Sequence, residues 1–242
     1  MILPNGRSLH GINDASIRIG LRLSKDETIV RMPFEVRHMG SKYPIFSFDF
    51  TGAKRGVLPA SYDYLRLEGR MQYRLNLPPI GYSQLMLEGG KIFGKVPYLL
   101  LKLHEGNGTY FYDRYAFSCM NFYEFSSDAW ISFFYEHHFN GFLLGRVPLL
   151  KKLNWREVFV FKGVYGTLSA RNDGSLPNTK AVMLFPVGMS SVEHPYLETG
   201  FGIENIFRLL RVDCIWRLTH HRAVPGLSIP TFTVNFSLNL KF

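Results

Sequence analysis

Polar and apolar residues alternate along most of this chain. In "YLRLEGRMQYRLNL", Leu65, Leu67, Gly69, Met71, Tyr73, Leu75 and Leu77 fall on one side of an extended backbone. Arg66, Glu68, Arg70, Gln72, Arg74 and Asn76 fall on the other. Successive side chains of a β-strand point to opposite faces, so the pattern predicts a strand with one oily and one charged face. "IRIGLRL" sets Ile17, Ile19, Leu21 and Leu23 against Arg18, Gly20 and Arg22 in the same way. "RLLRVDCIWRL" sets Leu210, Val212, Cys214, Trp216 and Leu218 against Arg211, Asp213, Ile215, Arg217 and Thr219. The alternation continues unbroken through "TFTVNFSLNLKF", from Thr231 to Phe242.

About eleven strands of about ten residues are predicted on this basis, with little helix. They lie near 15–23, 28–38, 43–52, 62–77, 80–90, 115–125, 128–138, 156–166, 195–205, 209–219 and 230–242. Such lengths suit tilted membrane-spanning strands and exceed the usual strand of a soluble sheet. Segments 91–114 and 167–194 carry the Gly, Asn, Asp, Ser and Pro of loops.

Alternation alone leaves open which face is wet. A soluble β-sandwich that binds a ligand or partner would bury its apolar faces against each other. An antiparallel transmembrane β-barrel would turn them to lipid and its charges to the lumen. Long strands favour the barrel, as do aromatics near strand ends in "YFYDRYAF", "NFYEF" and "AWISFFYEHHF". Closure would also remove the unpaired edges of long amphipathic strands.

Composition narrows the classes further. The 242 residues include 21 Phe and 13 Tyr, and the net charge is +9 although only 19% of residues are charged. The basic residues are scattered singly instead of forming a stripe, which argues against nucleic acid as a partner. No apolar run approaches the roughly 18 residues of a membrane helix. "MILPNGRSLHGIND" lacks the pattern of a signal peptide. Cys119 and Cys214 both fall in strand-like segments and read as small hydrophobes.

Candidate chemistry is sparse. His137–His138 and His220–His221 are adjacent pairs, whose side chains a regular strand sends to opposite faces, so neither pair suits one metal ion. Glu136, His138 and Ser132 share a face but lack a recognisable nucleophile elbow or oxyanion donor. The glycines of "EGNGTYF" and "LEGGKIFGK" follow no phosphate-binding pattern. No catalytic, cofactor or metal residue is predicted. The expected functional set is a lumenal charge network of Arg66, Glu68, Arg70, Arg74, Glu136, Glu198, Glu204, Arg211, Asp213 and Arg217, paired because an isolated charge in a narrow barrel is costly.

From residue 88 on, the chain resembles an uncharacterised family of Bacteroidota outer-membrane proteins, a domain of unknown function. The resemblance rests on "GKIFGKVPYLLLKLHEGN", "AFSCMNFYEFSSDAWISFFYEHHFNGFLLGRVPLLKKLNWREV", "KGVYG" and "YLETGFGIENIFRLLRVDCIWRL". Longer members carry an N-terminal carboxypeptidase-regulatory-like domain. More distantly, "GFGIENIFRLLRVDCIWRL" and the last strand are similar to the surface-antigen barrels, which include the outer-membrane insertases. The resemblance implies that 1–242 is one barrel region, truncated at its N-terminus, with its best match over 88–242. It would supply the C-terminal ~11 strands of a barrel of about sixteen. It further implies a non-enzymatic role in transport or assembly of envelope components in the outer membrane of a Gram-negative cell. The implied partners are outer-membrane lipid, lipopolysaccharide and the barrel assembly machinery, with Phe242 as the terminal insertion signal. The lumenal loop of the surface-antigen barrels would correspond to 91–114.

Overall fold

The structure, a computed structural model, describes Leu3 and residues 11–56, 60–175, 181–221 and 228–238. The chain is all-β. Its strands are β1 (Ile17–Leu23), β2 (Thr28–Arg31), β3 (Val36–Gly40), β4 (Ile45–Ala53), β5 (Tyr64–Asn76), β6 (Tyr82–Gly94) and β7 (Lys102–Leu103). There follow β8 (Phe125–Ser127), β9 (Ala129–His138), β10 (Arg156–Thr167), β11 (Ser190–Ser191), β12 (Tyr196–Ile206), β13 (Leu210–Arg217) and β14 (Phe232–Leu238). One short helix, α1, spans Pro148–Lys151.

Nine strands form one sheet in the order β1-β4-β5-β6-β9-β10-β12-β13-β14, with every neighbouring pair antiparallel. Among the described residues β1 and β14 are its two edges and do not pair with each other. The connections alternate in character. At one end, here the turn end, lie 77–81, 139–155 and 207–209, together with the β2–β3 hairpin. Gly81 has φ of +106°, and a side chain there would strike the His138 carbonyl, so this turn needs glycine. The described parts of the connections after β4, β6, β10 and β13 (54–56 and 60–63, 95–128, 168–175 and 181–195, 218–221 and 228–231) lie at the opposite, loop end.

Register carries the alternation across the whole sheet. Leu21 faces Phe48, which faces Gly69; further on, Phe159 faces Phe201, which faces Cys214 and then Val234. On this outer face only Lys91 and Glu157 are charged, and each lies near a strand end. The opposite, inner face holds Arg66, Glu88, Glu136, Lys162, Glu198 and Arg211.

The layering is the reverse of a sandwich. The described residues leave most of the outer apolar face uncovered, with Phe201 60% and Trp216 42% exposed. The inner, charged face is the one that is covered. Segment 102–124 lies against it, and the main apolar cluster joins Met86, Phe134, Val164 and Tyr196 of the sheet to Phe117, Met120 and Phe125 of that connection and Val192 of the next. Burial therefore stabilises the loop against the sheet, in addition to the ladder itself.

Three sequence expectations are corrected. Segment 28–38 is a hairpin of two short strands, because Pro33 interrupts the ladder at a turn. Segment 115–125 is irregular up to β8: Phe117 and Phe125 pack inward on the sheet instead of lining a strand end, while Phe122 and Tyr123 stay exposed. Cys119 accordingly sits in a loop, whereas Cys214 is in β13 on the outer face. The main sheet thus has nine strands, and β6 runs on to Gly94, so the following loop begins after residue 91. Residues 239–242 of the last expected strand, Phe242 included, lie outside the described residues.

Candidate functional site

The inner face of β6, β9, β10, β12 and β13 clamps the segment from Lys102 to Glu124. Five strand side chains do most of the holding. Glu88 on β6 takes Lys102 Nζ at 2.8 Å, and Lys102 also reaches Glu105 at 2.7 Å. Glu136 on β9 accepts from the Tyr112 hydroxyl and, at 2.8 Å, from Arg114 Nε. Lys162 on β10 donates to the carbonyls of Asp113 at 2.7 Å and Ala116 at 2.6 Å. Glu198 on β12 accepts the backbone N–H groups of Ser118 at 2.8 Å and Cys119 at 2.7 Å, one on each carboxylate oxygen. Arg217 on β13 donates to the Cys119 carbonyl at 3.2 Å and to Glu124 at 2.6 Å. The loop thus finds partners for backbone groups that burial would otherwise leave unsatisfied.

All ten expected network residues lie on the inner face, and most are paired. Arg66 meets Glu68 at 2.7 Å, and Arg70 meets Glu88 at 2.6 Å. Arg74 lies 4.0 Å over the ring of Tyr82, which stacks on His138 at 4.5 Å. His138 Nδ1 is 3.1 Å from Glu204, and its Nε2 is 3.4 Å from Glu136. Arg211 reaches Asp213 at 2.8 Å and Glu136 at 3.3 Å. Gly202 makes room for this pair: a Cβ there would fall 2.2 Å from the Asp213 carboxylate. Glu198 departs from expectation, since its hydrogen bonds go to main-chain amides and the Tyr196 hydroxyl and to no arginine.

Glu88, Lys102, Tyr112, Arg114, Glu124 and Lys162 are clamp residues that sequence reasoning passed over. A signal existed for Lys162: within "VFVFKGVY" it is the one charge, and its register places it on the inner side. Nothing comparable marked Tyr112 and Phe117 of "YFYDRYAF" as the loop's inward-facing aromatics.

Burial sets the protonation of the loop. His104, 2.9 Å from Ser127 Oγ, is held neutral, its imidazole pulled down to about 3 by burial and by the Lys102 charge. The Cys119 thiol is pushed up to about 12 by burial and then by Glu198, so it is inert as a nucleophile at neutral pH. Burial and the Glu136 charge also raise the Tyr112 phenol, which keeps its proton for Glu136.

The chemistry of the remaining candidates follows from position. Glu136 and His138 share the inner face with Ser132, but both are consumed by the clamp. His137 turns to the other face, where its ring meets Ser83 Oγ at 2.8 Å. His220 donates from Nε2 to the His194 carbonyl at 2.8 Å, beside a cleft of about 770 Å³ at the loop end that Arg217 also lines. Among the described residues no group of three or more His, Cys, Asp and Glu side chains is placed to hold a metal ion. No helix among them is long and apolar enough to cross a membrane.

Sheet and clamp together define an all-β protein whose charged face is occupied by its own loop. Residues 9–170 match the family of unknown function (DUF5686) C-terminal domain. The match covers more than half of the chain, and the chain belongs to this family. The matched span begins well before residue 88. No curated protein matches it.

Proposed function

We propose that the chain is a non-enzymatic β-barrel region of a Gram-negative outer membrane, with lipid against its outer face and the clamped loop as a lumenal plug. The observation that carries this reading is the inverted layering. Nine strands present a continuous apolar surface that nothing among the described residues covers, while their charged side holds the packed loop. Water-exposed apolar area on this scale is costly for a soluble domain and is what a bilayer solvates. A soluble sandwich would need a second sheet on that face; the small sheet of β7, β8 and β11 belongs to the loop end.

The plug suggests a role in controlled passage or assembly of envelope components, since a lumen filled by a loop conducts only when the loop shifts. The charged network fixes the loop's register. The test is membrane fractionation followed by carbonate extraction and gel mobility with and without boiling. The expected result is a carbonate-resistant, heat-modifiable species. A soluble monomer would overturn the lipid-facing assignment and leave the sandwich.

A further inference from the structure

The two edges of the main sheet run in the same direction. Every neighbouring pair is antiparallel and the strands number nine, so β1 and β14 both run from the loop end to the turn end. Joining β1 to β14 would make a parallel seam, whereas a ring of antiparallel strands needs an even count. The free edge of β14 therefore calls for a strand of opposite direction.

That edge is not bare. Segment 109–112 of the clamped loop lies along it, parallel to β14, with Phe111 opposite Phe236. The Phe236 N–H donates to the Tyr110 carbonyl at 2.7 Å, and the Tyr112 N–H donates to the Phe236 carbonyl at 2.8 Å. Asn235 adds a bond from Nδ2 to the Thr109 carbonyl at 3.1 Å. Asn107 shapes the segment, donating to the Phe111 carbonyl at 2.7 Å and accepting the Thr109 N–H at 3.0 Å. The fit is incomplete. The seam is a single bridge beside a seven-residue strand, Phe111 stays 69% exposed, and the buried Oδ1 of Asn235 has no hydrogen-bond partner.

We infer that the outer edge of β14 is a docking site for an antiparallel amphipathic β-strand from outside the nine, and that Thr109–Tyr112 is a placeholder which that strand displaces. The partner's chemistry is set by β14. Its apolar residues would stand opposite Phe232, Val234, Phe236 and Leu238, and its polar residues opposite Thr233, Asn235 and Ser237. A full ladder would replace one bridge and satisfy the row of N–H and C=O groups that an edge strand leaves open. The inference rests on the barrel reading only in that the incoming apolar residues extend the lipid face.

The test uses the full chain with Cys119→Ala and Cys214→Ala, carrying Phe111→Cys and Phe236→Cys, in buffer and in detergent micelles. The probe is a synthetic peptide of residues 209–219 with alanine for Cys214, a copy of the strand that β14 already pairs with antiparallel on its other side. A control peptide has prolines for Val212 and Ile215, which removes a ladder N–H toward either side. The expected result is a disulfide that forms without peptide, falls several-fold in yield with the peptide and not with the control, and abolishes peptide binding once locked. In the unsubstituted chain the Tyr112 amide should lose exchange protection on peptide addition while the Phe236 amide keeps it. Failure of the disulfide to form, equal peptide binding to locked and unlocked protein, or unchanged protection of Tyr112 would each overturn the inference. Because the disulfide reads the edge and carbonate extraction reads the membrane, either can fail with the other intact.

Discussion

Replacing Glu198 with glutamine should loosen the docked loop without disturbing the strands. Both carboxylate oxygens accept main-chain amides, as an ionised carboxylate does, and the Tyr196 hydroxyl adds a third bond at 2.6 Å. Glutamine keeps the volume but offers one acceptor oxygen, so its NH2 must confront the N–H of either Ser118 or Cys119. One charge-assisted bond, about 1.5–3 kcal/mol, is lost, and the survivor drops to the neutral value of about 1 kcal/mol. The summed effect on loop docking is about 2–5 kcal/mol, which corresponds to roughly 30- to 3,000-fold more frequent opening. Hydrogen exchange resolved at single amides reads this directly. Ser118 and Cys119 should exchange faster by that factor while Phe161 and Thr199, paired in the ladder between β10 and β12, keep their protection. Exchange at Ser118 and Cys119 as slow as in the unsubstituted chain would refute the idea that this carboxylate seats the loop.

Phe201→Arg, in the middle of β12 on the outer face, should cost about 2–4 kcal/mol of folding stability in lipid vesicles by urea titration; a change within about 0.5 kcal/mol would place that face in water. His104 is held neutral in the docked loop, so below its ordinary pKa of 6.5 an opened loop takes up a proton that the docked loop refuses. Docking should therefore weaken by about 1.4 kcal/mol per pH unit from pH 6.5 down toward 3 and stay flat above 6.5, as read by limited proteolysis. His104→Gln should flatten that acid limb, and an unchanged limb would assign it to another group. Cys119 should resist iodoacetamide at pH 8 in the intact protein and become labelled in the Glu198→Gln variant, as followed by mass spectrometry.

The strands of the main sheet could be read closely because a sheet with one apolar and one polar face imposes a period of two on the sequence, and β5 obeys it from Leu65 to Asn76. Segment 115–125 misled for a physical reason. Tyr115, Phe117 and Met120 are apolar because they pack on the inner face, and a buried irregular loop needs the same residues as a strand. The charged side was legible as charged, and its pairing in part, since Arg66–Glu68 and Arg211–Asp213 are two apart on one strand. Contacts such as Glu198 with Ser118 join positions 80 apart through a backbone amide, which leaves no mark on residue identity.

The grip on the loop also bears on how its sequence can change. Within segment 113–119, Lys162 and Glu198 bond peptide carbonyls and amides, and Arg217 takes the Cys119 carbonyl. Peptide groups are common to every residue type, so apart from Arg114, which bonds Glu136, and Phe117, which fills the main apolar cluster, side chains in that stretch are free to be exchanged as long as they match the space beneath them. A saturation library over residues 113, 115, 116 and 118 should thus tolerate far more diversity than one over Lys162, Glu198 and Arg217. The loop is a module whose seat is written mostly in the strands and whose remaining surface is open to rewriting.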